Sequence, residues 1–227
     1  WDGAAFIVVA GETPDGVSGR VWRLDPRADS WDDLAPLPVP RTRFGVAIDD
    51  GTLTLTGGIG PDGTPHEDAW TFTDGVWNEV APDLGIGGFA DVTLMAGDGR
   101  IYQVGGLEAA GEGALYQVVS SQLVPVDLGL GTTAGGCGLL DDDTLWLWGG
   151  EAESTLHSWS GSWQTPSIAE PAPRAWPLCA PSGDYLYILG GDAGFGETPG
   201  PFRKDLWRVR RGDGGQPVAG DGLPVED

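Results

Sequence analysis

Leu145-Trp146-Leu147-Trp148-Gly149-Gly150 is a short apolar run closed by a glycine doublet, and the same phrase recurs along the chain. It appears as Phe6–Val9 before Ala10-Gly11, Leu53–Thr56 before Gly57-Gly58, Ile101–Val104 before Gly105-Gly106, and Leu186–Leu189 before Gly190-Gly191. The second glycines fall at 11, 58, 106, 150 and 191, intervals of 47, 48, 44 and 41 residues. Self-similarity at a period of this length marks a repeat architecture and outranks every other signal in the sequence.

Working outward from each doublet, the same parts follow in the same order. Upstream lies an apolar strand and then a turn: Phe44–Ile48 before Asp49-Asp50-Gly51, Gly138–Leu140 before Asp141-Asp142-Asp143, Pro177–Ala180 before Pro181-Ser182-Gly183-Asp184. Asp/Gly pairs suit the positive φ angles of tight hairpins. Downstream, a loop of varying length leads to an aromatic strand: Val21–Leu24, Ala69–Phe72, Leu115–Val118 and Leu206–Val209. A later tryptophan follows in three periods, at Trp31, Trp77 and Trp163; Leu123 stands near that point in the third period and Gly214-Gly215 in the fifth. Four antiparallel strands per period make one propeller blade. The runs are apolar without clean alternation, as expected of sheets buried on both faces.

Val21–Pro38, V-W-R-L-D-P-R-A-D-S-W-D-D-L-A-P-L-P, resembles the kelch motif, with its double glycine, aromatic-x-x-aspartate strand and late tryptophan. The resemblance covers essentially the whole chain and implies an all-β propeller of four-stranded blades, about five here. Approximate blades are 1–40, 41–85, 86–130, 131–173 and 174–227, forming one domain. The resemblance also implies six or seven blades in a complete ring. The first period begins at its second strand, and the last ends at Leu223-Pro224-Val225, matching Leu37-Pro38-Val39. The chain therefore reads as part of a larger propeller or as a small ring that closes imperfectly. Its incomplete first blade invites a neighbouring subunit, because a bare strand edge templates pairing. The late tryptophans are expected to be largely buried between blades.

Composition agrees. The 227 residues hold 39 glycines and 18 prolines, a turn-rich content, while eleven tryptophans argue against disorder. The formal charge of −22 repels nucleic acid and anionic membranes. No apolar run approaches the ~20 residues of a membrane span. Trp1 follows no basic or cleavable leader, so the chain reads as a mature or trimmed piece. Acidity with a single lysine, Lys204, fits a secreted or periplasmic bacterial protein; a cytoplasmic protein of a salt-tolerant organism has the same profile.

The chemistry-bearing residues are few. Cys137 and Cys179 lie on innermost strands of successive blades, one repeat place apart and so on opposite faces. Two buried thiols are the first expectation and a disulfide the second, since packed sheets sit ~10 Å apart. Neither His66 nor His157 has the spacing of a transition-metal site. The acidic turns at Asp49-Asp50, Asp98 and Asp141–Asp143 lack the calcium-loop pattern and read as hairpins. No cofactor and no metal site is expected. Arg203, Lys204, Arg208, Arg210 and Arg211 form a basic cluster, read first as a solvated strand face paired with local acids and second as a docking patch.

Binding is expected on the face carrying the loops after the doublets, because length variation on one face of a repeat array marks the working face. The candidates are Arg41, Arg43, Arg174 and Trp176, at the entries to innermost strands, with His66 in the loop Gly60–Asp68. In proteins of this resemblance such arginines often line the channel mouth; tying blades together through backbone carbonyls carries equal weight. The function expected is a noncatalytic module binding another protein or a small anionic or carbohydrate ligand. The alternative is a carbohydrate-directed enzyme of epimerase or oxidase type, for which His66 and Glu67 are the side chains on that face.

Overall fold

A computed structural model describes residues 5–84, 90–107, 115–119, 122–127, 135–141, 143–148, 155–165, 175–182, 184–192, 205–211 and 217–224. Its strands form five antiparallel meanders, the architecture of an all-β propeller. The first sheet holds β1 (Phe6–Thr13), β2 (Gly16–Asp25) and β3 (Ser30–Leu34). The second holds β4 (Gly45–Asp49), β5 (Thr52–Thr56), β6 (Ala69–Thr73) and β7 (Val76–Ala81). The third runs through β8 (Ala90–Gly97), β9 (Arg100–Leu107), β10 (Leu115–Val119) and β11 (Gln122–Asp127). The fourth comprises β12 (Cys137–Asp141), β13 (Thr144–Trp148), β14 (Leu156–Trp159) and β15 (Trp163–Gln164). The fifth comprises β16 (Leu178–Ser182), β17 (Tyr185–Leu189), β18 (Leu206–Arg211) and β19 (Pro217–Pro224). The chain gathers into two compact units that change over within the third sheet.

Local chemistry accounts for the hairpins. Asp50-Gly51, Asp74-Gly75 and Asp98-Gly99 all take positive φ at both residues, the signature of a two-residue type I′ turn. Asp49 adds a cap, accepting the Gly99 N–H at 2.7 Å. The doublets are also left-handed, at φ 65° and 97° for Gly57 and Gly58 and 68° and 98° for Gly190 and Gly191. Gly58 needs glycine twice over, since a Cβ there would lie 2.8 Å from the Thr42 carbonyl oxygen.

In the first unit, Leu37, Leu53 and Leu55 form a core with Ile7, Val9, Phe44, Phe72 and Trp77 packed on it, joining the first sheet to the second. Trp77 follows the expectation for late tryptophans: its ring meets Phe72 at 5.0 Å, and its indole N–H donates to the Ala35 carbonyl at 2.9 Å. Trp163 is half-buried. Trp31 departs from the expectation and is 58% exposed. It sits on β3, opposite Leu24. The end of the last sheet also differs: β19 runs to Pro224, paired with Trp207, whereas β3 stops at Leu34, before Leu37-Pro38.

In the second unit, Cys137, Leu139, Trp146, Trp148, Leu156, Leu186, Ile188 and Val209 build a core between the fourth and fifth sheets. Cys137 and Cys179 form a disulfide there, against the expectation of free thiols. Opposite-face placement on adjacent innermost strands brings their Cα atoms to 5.6 Å, well inside the average sheet spacing, because these two strands converge.

Candidate functional site

The segments entering the innermost strands share one construction. Thr42 and Ile59 exchange backbone hydrogen bonds at 3.0 and 2.8 Å, and Ala175 and Asp192 do the same at 2.8 Å each way. The next residue turns left-handed: Arg43 at φ 59° and Trp176 at φ 51°. Asp91 and Gly135 hold the same repeat place, at 57° and 72°. Within each unit these residues link in pairs. The Asp91 N–H donates to the Arg43 carbonyl at 2.8 Å, and the Trp176 N–H donates to the Gly135 carbonyl at 2.6 Å.

The side chains at this place differ. Arg43 donates from Nε to Asp91 Oδ1 at 2.8 Å and from a terminal nitrogen to Asp91 Oδ2, a fork spanning the second and third sheets. Asp91 is buried; Arg43 is partly exposed. In the other unit the exposed Trp176 indole lies over Gly135, where an added Cβ would come within 3.1 Å of Nε1.

Arg41 is fully buried, and the geometry is that of a strut. Its Nε donates to the Val39 carbonyl at 3.2 Å and one terminal nitrogen to the Gly57 carbonyl at 2.9 Å. Both terminal nitrogens meet Asp68, NH2 reaching Oδ2 at 2.9 Å. Trp70 Nε1 also donates to Asp68, at 2.7 Å. Burial pushes the Asp68 carboxyl up, but the hydrogen bonds from Arg41 and Trp70 and the nearby positive charge hold it below its ordinary value.

His66 stands beside this pair. Its N–H donates to the Gly58 carbonyl at 2.8 Å, and its Nε2 has no hydrogen-bond partner. Burial, then the Arg41 charge, lowers its pKa against the opposing pull of Asp68 and Asp62, so the ring is neutral at pH 7. The structure thus brings Arg41, Arg43 and His66 to one unit and Trp176 to the other; Arg174 lies outside the described residues. Both described arginines are matched by carboxylates, so they do not form an unpaired cationic mouth.

Asp68 and Asp91 are the partners that the sequence reading missed. Asp68-Ala69-Trp70 carried a signal, because Asp205-Leu206-Trp207 repeats it: Trp207 Nε1 donates to Asp205 at 2.8 Å. In the basic cluster, Arg208 lies 4.7 Å over the Tyr185 ring, a cation–π contact; Arg203 and Lys204 fall outside the described residues. Among the described residues no group of three or more His, Cys, Asp or Glu is placed to hold a metal ion. No described helix is long and apolar enough to cross a membrane.

Similarity to known proteins agrees with the architecture. The chain is 30% identical over 186 residues to Kelch-like protein terF of Aspergillus terreus, covering 67% of this chain and 39% of that protein. It is 27% identical over 107 residues to Kelch-like protein 40 of Mus musculus, covering 46% of this chain and 16% of that one. The solved structure of YjhT superposes with a TM-score of 0.72 at 17% identity, covering 98% of this chain and 81% of that one. No family model matches. Five antiparallel meanders, left-handed doublets and these relatives define a β-propeller. The chain belongs to the kelch-repeat propellers, and it spans well under half the length of the curated relatives it matches.

Proposed function

We propose that the chain is a noncatalytic binding module whose working face carries the loops after the doublets and the left-handed strand-entry residues. One observation carries the reading. A single backbone conformation recurs at Arg43, Asp91, Gly135 and Trp176, and it carries three different side chains and a glycine, with Arg43 and Trp176 reaching solvent. A fixed frame with varied display is how a rigid scaffold presents a recognition surface. The partner is another protein, or a small anionic or carbohydrate ligand; Trp176 offers an exposed ring for stacking, and Arg43, whose fork holds Asp91, keeps 37% of its side chain exposed.

The reading extends to location. A disulfide between Cys137 and Cys179 supports an oxidising compartment, hence a secreted or periplasmic protein.

The test is a screen of the 227-residue chain against arrays of neutral and acidic oligosaccharides and of peptides, repeated with Arg43→Ala and Trp176→Ala. A hit weakened about tenfold, ~1.4 kcal/mol, by either substitution supports the reading. A hit indifferent to both, and lost when the opposite hairpins at Asp74-Gly75 and Asp98-Gly99 are altered, places binding on the other face and overturns it.

A further inference from the structure

The two pairs of strand entries are tied in different ways. In the first unit Arg43 and Asp91 share a backbone hydrogen bond at 2.8 Å, and their side chains pair through the fork. In the second unit Gly135 and Trp176 share the equivalent backbone bond at 2.6 Å, but Gly135 has no side chain and cannot take part in such a pair. The side-chain tie of that junction is covalent and lies just inside the two strands, at Cys137–Cys179.

The repeat places show one tie exchanged for another. Counted from the entry residues, Gly45 and Leu94 hold in the first unit the places of Cys137 and Cys179. They too approach closely, since a Cβ on Gly45 would come within 3.1 Å of the Leu94 Cβ. Both junctions thus bring these places together, and the second turns the approach into a bond. With the tie moved into the strands, the entry residue Trp176 keeps its ring 42% exposed.

The disulfide and the Trp176–Gly135 hydrogen bond close a small cycle through residues 135–137 and 176–179. Pro177 stands in it directly after Trp176 and fixes one of its few backbone torsions. So few residues leave little slack, and a change at the sulfurs reaches the Trp176 backbone.

We infer that Cys137–Cys179 is a redox-operated clamp that sets the pose of Trp176 on the binding face. The inference rests on reading the strand-entry residues as that face. Cys137 is buried and Cys179 half-buried, so a dithiol reductant meets Cys179 first. Its thiolate attacks Cys179 Sγ, the S–S bond breaks, and Cys137 leaves as a thiolate that takes a proton. The second thiol of the reductant then displaces Cys179, which also ends as a thiol. The dithiol departs as a cyclic disulfide, having passed two electrons to the protein. The Trp176–Gly135 hydrogen bond then holds the entries without the covalent link, and the indole loses its fixed place.

Amide hydrogen exchange read by NMR follows the clamp without any ligand, so the clamp and the binding face can each fail while the other stands. Reduction of the whole chain with dithiothreitol, confirmed by thiol titration, should speed exchange of the Trp176 N–H about tenfold or more, through a local opening that low urea does not change. Amides along β13 should instead follow the stability of the unit and respond to urea. The Asp91 N–H, bonded to its own entry partner, is the control and should keep its rate. A 5-fluorotryptophan signal assigned with Trp176→Phe should shift on reduction and return on reoxidation with glutathione disulfide. Cys137→Ser/Cys179→Ser should match the reduced protein and ignore dithiothreitol; if it fails to fold, the unaltered chain before and after reduction carries the comparison. A Trp176 amide unchanged after full reduction, or one that speeds up only in step with β13 and with urea, overturns the inference: the disulfide then does no more than stabilise the second unit.

Discussion

Arg41 and Asp68 stand 27 residues apart in the chain and meet as a two-pronged ion pair, with the Arg41 side chain wholly out of solvent. The arginine also holds the Val39 and Gly57 carbonyls, so one side chain ties an inter-blade segment to a doublet. Removing one partner of a buried pair leaves the other uncompensated. Arg41→Ala should therefore cost about 3–5 kcal/mol, read as a lower urea midpoint. Asp68→Asn should also flatten the acid limb of stability. The folded Asp68 titrates below its unfolded value, so its contribution is present above about pH 4 and is lost as pH falls through the folded pKa.

His66 has the opposite charge logic and the same direction. Its folded pKa is lowered, so protons bind the unfolded chain first, and stability falls as pH drops below about 6.5. An NMR titration of its ring protons should give a midpoint below that of a free histidine. A midpoint at or above the free value would show that Asp62 and Asp68 outweigh burial and Arg41.

The Cys137–Cys179 disulfide closes a sequence separation of 42 residues, for which loop-closure entropy gives a stabilisation of about 4 kcal/mol. Reduction, or Cys137→Ala with Cys179→Ala, should lower the thermal midpoint of the second unit. An unchanged midpoint after confirmed reduction would mean that the Trp146–Ile188 core alone holds those two strands.

Trp31 and Trp77 share a repeat place but differ in surroundings. Trp77→Ala should cost about 2–4 kcal/mol, toward the lower end for a large core truncation because the ring is only half-buried. Trp31→Ala should stay within about 1 kcal/mol in dilute protein. Paired chemical denaturation curves check the contrast.

Gly135→Ala sets a Cβ against the Trp176 indole in a left-handed conformation. A destabilisation of about 1–3 kcal/mol is expected, with a shift in Trp176 fluorescence. Gly51→Ala, also left-handed but with open space around the site, isolates the backbone share of that cost.

The doublets at Gly57-Gly58 and Gly190-Gly191 were legible because they take positive φ, and glycine is the residue that supplies it without strain; Ala10 shows the place tolerating a small side chain at φ 50°. The Asp-Gly hairpins were legible for the same reason. The exposure of Trp31 was not, because burial depends on which sheet lies next door and not on the residue's own repeat. The disulfide was not either: residue parity gave facing sides, but the local convergence of β12 and β16 is a tertiary quantity. For the candidate site, the entry arginines stood out by position, while Asp68 reaches Arg41 across a loop of variable length and Asp91, one repeat on from Arg43, reaches it from the next sheet.

The left-handed entry place sets recognition against robustness. A side chain at positive φ carries strain of order 1 kcal/mol that glycine relieves, as Gly135 does. Random drift under selection for folding alone would thus bleach the position toward glycine, blade by blade. Arg43, Asp91 and Trp176 carry side chains there at that cost. The first two are held by their mutual ion pair, which offsets the strain; the Trp176 ring lies against Gly135 and is 42% exposed. Among these positions, Trp176 is where an aromatic ring stands exposed, and a ligand stacking on that ring would be the first to suffer from a drift to glycine.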